Sequence, residues 1–159
     1  MTGQQLKPQR RSRRVAMSAE EIDAYLAAER TCRVATVNDR GPHVTALWFV
    51  WHERALWLYS ITDSQRWVDL RRDPRIAILV DSGHEYFELR GVEITGVAEQ
   101  VGEAPRTGQD YPELVEPEKL FARKYFGIEE TPYDERHGWL RVTPEKINSW
   151  DFRKMLADQ

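Results

Sequence analysis

Residues 86–101 read YFELRGVEITGVAEQV, with Gly91 and Gly96 five positions apart in a run that otherwise favours extended chain. Glycine weakens a strand unless the strand must bulge or bend there, and such bends curl a sheet on itself. The stretch predicts a long strand in a small barrel. Before it, residues 76–81 (IAILVD) predict a strand buried on both faces, joined through a turn at 82–85. Further upstream, residues 33–38 alternate at period two and 39–42 (DRGP) supply a turn. Residues 43–51 (HVTALWFVW) are β-branched and aromatic, and 56–60 (LWLYS) follow after a short connection. Short links between successive strands predict an antiparallel meander.

Helices fill the intervals. Ser18 and Glu21 form a capping-box pattern opening a helix over 18–29. Residues 66–72 predict a short helix with Trp67 and Leu70 inward, stopped by Asp73-Pro74. Residues 102–116 read as a loop, and 117–126 as a helix with proline in its first turn and Gly127 after its end. A final pair of strands is expected at 139–143 and 146–151, about Pro144 and Glu145. The sum is five to seven strands with peripheral helices, a mainly β chain.

A length of 159 residues suits one domain, placed at 17–159. Residues 1–16 carry Lys7, Arg10, Arg11, Arg13 and Arg14 with no acid, and are expected to be a disordered basic leader. The net charge of −3 gives no general pull toward nucleic acid. No run reaches the roughly 18 apolar residues of a membrane span, and no apolar segment follows the basic one as in a secretory signal. Cys32 is the lone cysteine, so no internal disulfide forms and a cytoplasmic setting is expected.

Chemistry-bearing motifs are few. His43, His52, His84 and His137 are dispersed without metal-ligand spacing, so no metal is expected. There is no G-x-S-x-G elbow and no G-x-G-x-x-G turn after a strand. No catalytic acid, base or nucleophile is assigned. The informative segment is 60–67, SITDSQRW: a strand delivers the hydroxyls of Ser60, Thr62 and Ser64, and Arg66 opens a helix. Hydroxyls, free helix amides and a guanidinium together suit a phosphate. The plainer alternative is that Ser64 only caps the helix and Arg66 stands in solvent.

Residues 66–81, with the upstream strand from Gly41 to Phe49, the block Leu70–Arg75 and the Gly91/Gly96 strand, resemble the pyridoxamine 5′-phosphate oxidase-like proteins. The resemblance is strongest to their flavin/deazaflavin oxidoreductase branch and spans roughly Ser18 to Trp150. It implies a six- to seven-stranded antiparallel split β-barrel, and a homodimer with cofactor sites at the subunit interface. It places the cofactor phosphate on Ser60, Thr62, Ser64, Gln65 and Arg66, and the ring against Thr45, Ala46, Leu47 and Trp48. Trp150 and Lys154 are then expected at the partner's site. Relatives often carry two basic residues in the phosphate loop; here Arg66 stands alone, followed by Trp67. The activity expected is hydride transfer between coenzyme F-420 and a small-molecule substrate. FMN in its place, or a non-catalytic carrier of flavin, deazaflavin or haem, are the alternatives.

Overall fold

The structure, a computed structural model, describes residues 5–157. Helix α1 (Ala19–Ala28) opens on the expected capping box: Ser18 Oγ accepts from Glu21 N–H and the Glu21 carboxylate accepts from Ser18 N–H. Strands β1 (Thr31–Asn38), β2 (Gly41–His52) and β3 (Ala55–Ile61) form the meander. Helix α2 (Gln65–Arg72) leads to β4 (Arg75–Ser82) and then β5 (Arg90–Val101). A long loop precedes helix α3 (Val115–Phe126), which ends on Gly127 at φ 67°, a left-handed cap suited to glycine. Strand β6 (His137–Asp151) closes the barrel in the order β1-β2-β3-β6-β5-β4, with β4 returning to β1 and every pair antiparallel. Among the described residues no helix is long and apolar enough to cross a membrane.

Three expectations are corrected. The final strand pair is one strand, β6, which passes through Pro144 unbroken. Proline lacks a ladder donor, and here it sits opposite Gly96 where the β5–β6 register shifts. Strand β5 begins at Arg90 because Tyr86–Glu88 form a 3₁₀ turn. Strand β4 is buried on one face only: Ile76, Ile78 and Val80 point into the barrel, while Ala77 and Leu79 are half-buried on the outside.

At Gly96 an added Cβ falls 2.1 Å from the Thr143 carbonyl oxygen, a backbone atom that cannot swing aside. Gly96→Ala is therefore expected to destabilise the protein by more than about 1 kcal/mol, read as a lower urea midpoint.

The barrel interior holds Val34, Phe49, Leu58, Ile78 and Ile94, with Leu26 of α1 and Trp67 and Leu70 of α2 joining the same core. A second cluster lies outside the barrel, where Phe121 of α3 and Leu114 cover Trp57 and Trp139.

Residues 5–16 of the expected leader are mostly exposed and run along the barrel; residues 1–4 of that segment lie outside the described residues. Pairing of β6 with β3 ends at Val142, which leaves the far half of that edge open. The leader covers it: Lys7 N–H donates to the Glu145 carbonyl at 2.9 Å, and the Gln9 amide bonds both backbone groups of Ser149 at 3.0 Å. Val15 is buried as its anchor. An open strand edge needs hydrogen-bond partners, and that need outweighs the segment's low apolar content.

Candidate functional site

Pairing of β2 with β3 is confined to Phe49–His52 against Ala55–Leu58. Beyond Phe49 and Leu58 the two strands part, β2 staying with β1 and β3 with β6. Among the described residues no strand pairs with that edge of β2 from Gly41 to Trp48, so its backbone groups are free to meet a ligand.

Arg66 spans the split. Its Nη1 donates to Thr45 Oγ1 of β2 at 2.6 Å, while Nε and Nη2 donate to Ser60 Oγ of β3 at 3.2 and 2.9 Å. The residue is 9% exposed, and among the described residues no carboxylate pairs with it. Burial pulls the guanidinium below its ordinary pKa. Three bonds to two hydroxyls leave N–H groups of the fork to spare. The helix that carries Arg66 is fixed from below, since Asp69 accepts from Gln65 Nε2 at 2.7 Å and from Asn38 Nδ2 of β1 at 3.2 Å.

The other residues expected in the phosphate loop are engaged elsewhere. Ser64 Oγ accepts from Trp67 N–H at 3.2 Å and so caps the helix, which leaves its O–H to donate. Thr62 is tied by N–H and hydroxyl to the Arg136 carbonyl, and Gln65 to Asp69. The structure thus brings together Thr45, Ser60 and Arg66. Arg66 is buried, against the solvent-exposed alternative.

Leu47 and Trp48 line a cleft of about 520 Å³ beside the split, roofed by α3 and the segment after it. Trp48 stacks on Tyr125 with ring centroids 4.3 Å apart. Ala46 is exposed, on the strand face that also carries Trp48 and opposite to that of Leu47. Trp150 lies over Gly91 on the neighbouring strand. Lys154 pairs with Glu21 at 2.8 Å and with the Ala16 carbonyl. Neither touches the Arg66 cluster within one chain.

Beside the same cleft are groups that sequence reading passed over. His137 Nδ1 pairs with Asp134 Oδ2, and the ring lies 4.8 Å from that of Tyr59. Burial pulls the Asp134 carboxyl up, but N–H donors from Arg136 and His137 and the imidazole itself outweigh it and hold the group below its ordinary pKa. The spacing of three residues between Asp134 and His137 was the available signal, weak without the turn that folds one onto the other. Lys124 of α3, which does not line the cleft, was also passed over: burial pushes its ammonium down to about 8, and Nζ donates to the carbonyls of Leu26 and Phe49 at 3.2 and 3.4 Å. Cys32, buried nearby, is pushed up to about 12, so it is no thiolate nucleophile.

Residues 18–151 match the family model described as pyridoxamine 5′-phosphate oxidase. The chain belongs to that family. None of the curated proteins matches it. A solved structure of a conserved hypothetical protein from Mycobacterium tuberculosis is 31% identical, covering 94% of this chain and 92% of that one, with a TM-score of 0.77. An FAD-binding protein from Mycobacterium smegmatis is 22% identical over 84% of this chain and 96% of that one, with a TM-score of 0.63. A structure described as an F420 reductase is 21% identical over 79% of this chain and 94% of that one, TM-score 0.57. At those lower identities the likeness is one of fold.

Proposed function

We propose that this member of the family is an oxidoreductase that holds coenzyme F-420 along the open edge of β2. It moves a hydride between the deazaflavin ring and a small unsaturated or heteroaromatic substrate. The observation behind the reading is Arg66, a buried guanidinium that no carboxylate among the described residues pairs with. A buried charge is costly unless paired, and an anionic ligand group offsets that cost. Phosphate suits the fork best, because it accepts parallel N–H bonds and the amides at the start of α2 lie beside it. The residues present therefore fit the phosphate of a flavin-type cofactor.

Two residues along a strand advance roughly 7 Å, so Leu47 stands one step from Thr45 toward the aromatic cleft. On this reading the phosphate lies at Arg66 and the ring at Leu47 and Trp48. The cofactor supplies the redox chemistry when bound. The chain's part is to bind it, orient it and exclude water.

The cleft beside the split favours an enzyme over a carrier, since it leaves room for a second molecule next to the ring. The family neighbours that bind FAD or are described as F420 reductase support the cofactor class without choosing within it. The reading includes a homodimer. Its support is an outward apolar face in which Val44 is 67% exposed and Val37 and Val97 are each 37% exposed.

Titration of the purified protein with F-420, FMN and FAD, read by cofactor fluorescence, tests this. F-420 is expected to bind most tightly, to a protein that sediments as a dimer. Its reduced form is expected to be oxidised in the presence of some member of an unsaturated-acceptor panel. Tighter FMN binding changes the cofactor. Tight binding with no oxidation across the panel makes the protein a carrier, and a monomer mass removes the dimer.

A further inference from the structure

We propose that the cleft beneath α3 takes a planar phenol, its ring among aromatic side chains and its hydroxyl donating to His137 Nε2. Trp48, Tyr59, Phe121 and Phe126 supply flat apolar walls. Tyr59 is held by stacking on Trp139 with centroids 4.8 Å apart, and Phe121 meets both rings edge-on. The volume of about 520 Å³ suits a ligand of one or two rings.

The polar end is equally specific. Asp134 Oδ1 accepts N–H bonds from Arg136 at 2.9 Å and His137 at 3.0 Å, which leaves Oδ2 for the imidazole. A carboxylate on Nδ1 places the ring proton there and a lone pair on Nε2. Among the described residues no group bonds Nε2. Thr131 lines the same cleft with a buried hydroxyl that has no partner. A buried polar atom without a bond points to a missing one.

These facts select the chemistry of the ligand. A carboxylate-bearing ligand meets the negative charge of Asp134 behind the ring. An aliphatic alcohol lacks the flat face that four aromatic walls demand. A phenol has the flat face and a neutral, acidic O–H suited to a basic nitrogen backed by a carboxylate.

The proposal is of a ligand site and assigns no hydride step to the phenol; it does not rest on the cofactor reading, so the test uses the protein without cofactor. Calorimetry compares 2-naphthol with 2-methoxynaphthalene, which has the same rings and no proton to donate. The parent protein is expected to prefer 2-naphthol about tenfold, the scale of one neutral hydrogen bond. His137→Phe keeps a ring against Tyr59 and is expected to abolish the preference. Asp134→Asn changes an exposed side chain, and its amide N–H turns the tautomer so that Nε2 carries the proton; the preference is lost there too. Equal binding of the two probes by the parent, binding of neither, or a preference kept in both variants overturns the proposal. Binding of 2-naphthol as expected, with no binding of F-420, retains the cleft and removes the cofactor reading. The reverse pair of results removes the phenol and retains the cofactor.

Discussion

Arg66→Met is expected to weaken binding of the cofactor, whichever of F-420, FMN or FAD the parent protein takes, by about 10- to 100-fold. A charge-assisted hydrogen bond to phosphate contributes about 1.5–3 kcal/mol, and tenfold corresponds to about 1.4 kcal/mol. The same variant is expected to unfold within about 1 kcal/mol of the parent. Methionine keeps an unbranched apolar stem and removes a buried charge that no carboxylate among the described residues neutralises. Against that gain stands the loss of three bonds to Thr45 and Ser60. Equilibrium urea unfolding and a cofactor titration on one preparation separate the two quantities. Unchanged affinity in a folded variant removes Arg66 from the phosphate site. A large loss of stability makes it a structural bridge across the β2–β3 split.

Arg106→Met is expected to cost about 3–5 kcal/mol of stability, because it strands two carboxylates. The Arg106 side chain is 3% exposed. It pairs with Glu103 and, at 2.9 Å, with Glu118, and it donates to the Gln109 carbonyl at 3.0 Å. Glu118 also accepts from Trp139 Nε1 at 3.2 Å, so the network ties the loop after β5, helix α3 and strand β6 together. At about 2–4 °C per kcal/mol for a chain of this size, thermal unfolding is expected to fall by roughly 10 °C. The pH dependence supports the cause. Burial raises the Glu103 carboxyl, but bonds from Gln109 N–H, Thr107 and Arg106 outweigh it and hold the group at about 2. Its folded value lies below its unfolded one, so its stabilising contribution is complete above the ordinary glutamate range. It is lost as pH falls from there toward about 2. The gap between variant and parent is therefore expected to narrow in acid. A gap that is small at neutral pH, or that does not change with pH, argues against this role for the pair.

Most elements of the barrel could be read directly. Alternation at 33–38, the aromatic and β-branched run at 43–51 and the glycines at 91 and 96 are local patterns, and local sterics and polarity suffice to produce them. The capping box at Ser18 and Glu21 is local for the same reason. Pro144 misled because its cost to a strand depends on what lies opposite, and Gly96 stands about fifty residues away in the chain. For the leader, composition says that it cannot fold alone, and the unpaired edge of β6 supplies partners for Lys7 and Gln9.

The site divides along the same line. Arg66 and Ser60 are six residues apart on one strand–helix junction, so their proximity was legible in the residues. Thr45 joins them from β2, and the burial of the guanidinium follows from where β2 and β3 separate. The cap at Ser64 and the Gln65–Asp69 pair follow helix spacing, whereas Thr62 is engaged by the Arg136 carbonyl, a partner that no spacing rule connects to it. Of the aromatic cleft the sequence carried only the three-residue spacing of Asp134 and His137, because its walls come from β2, β3, α3 and the approach to β6. Strand periodicity is set within a few residues, whereas a cavity exists only once distant segments are held against one another by packing.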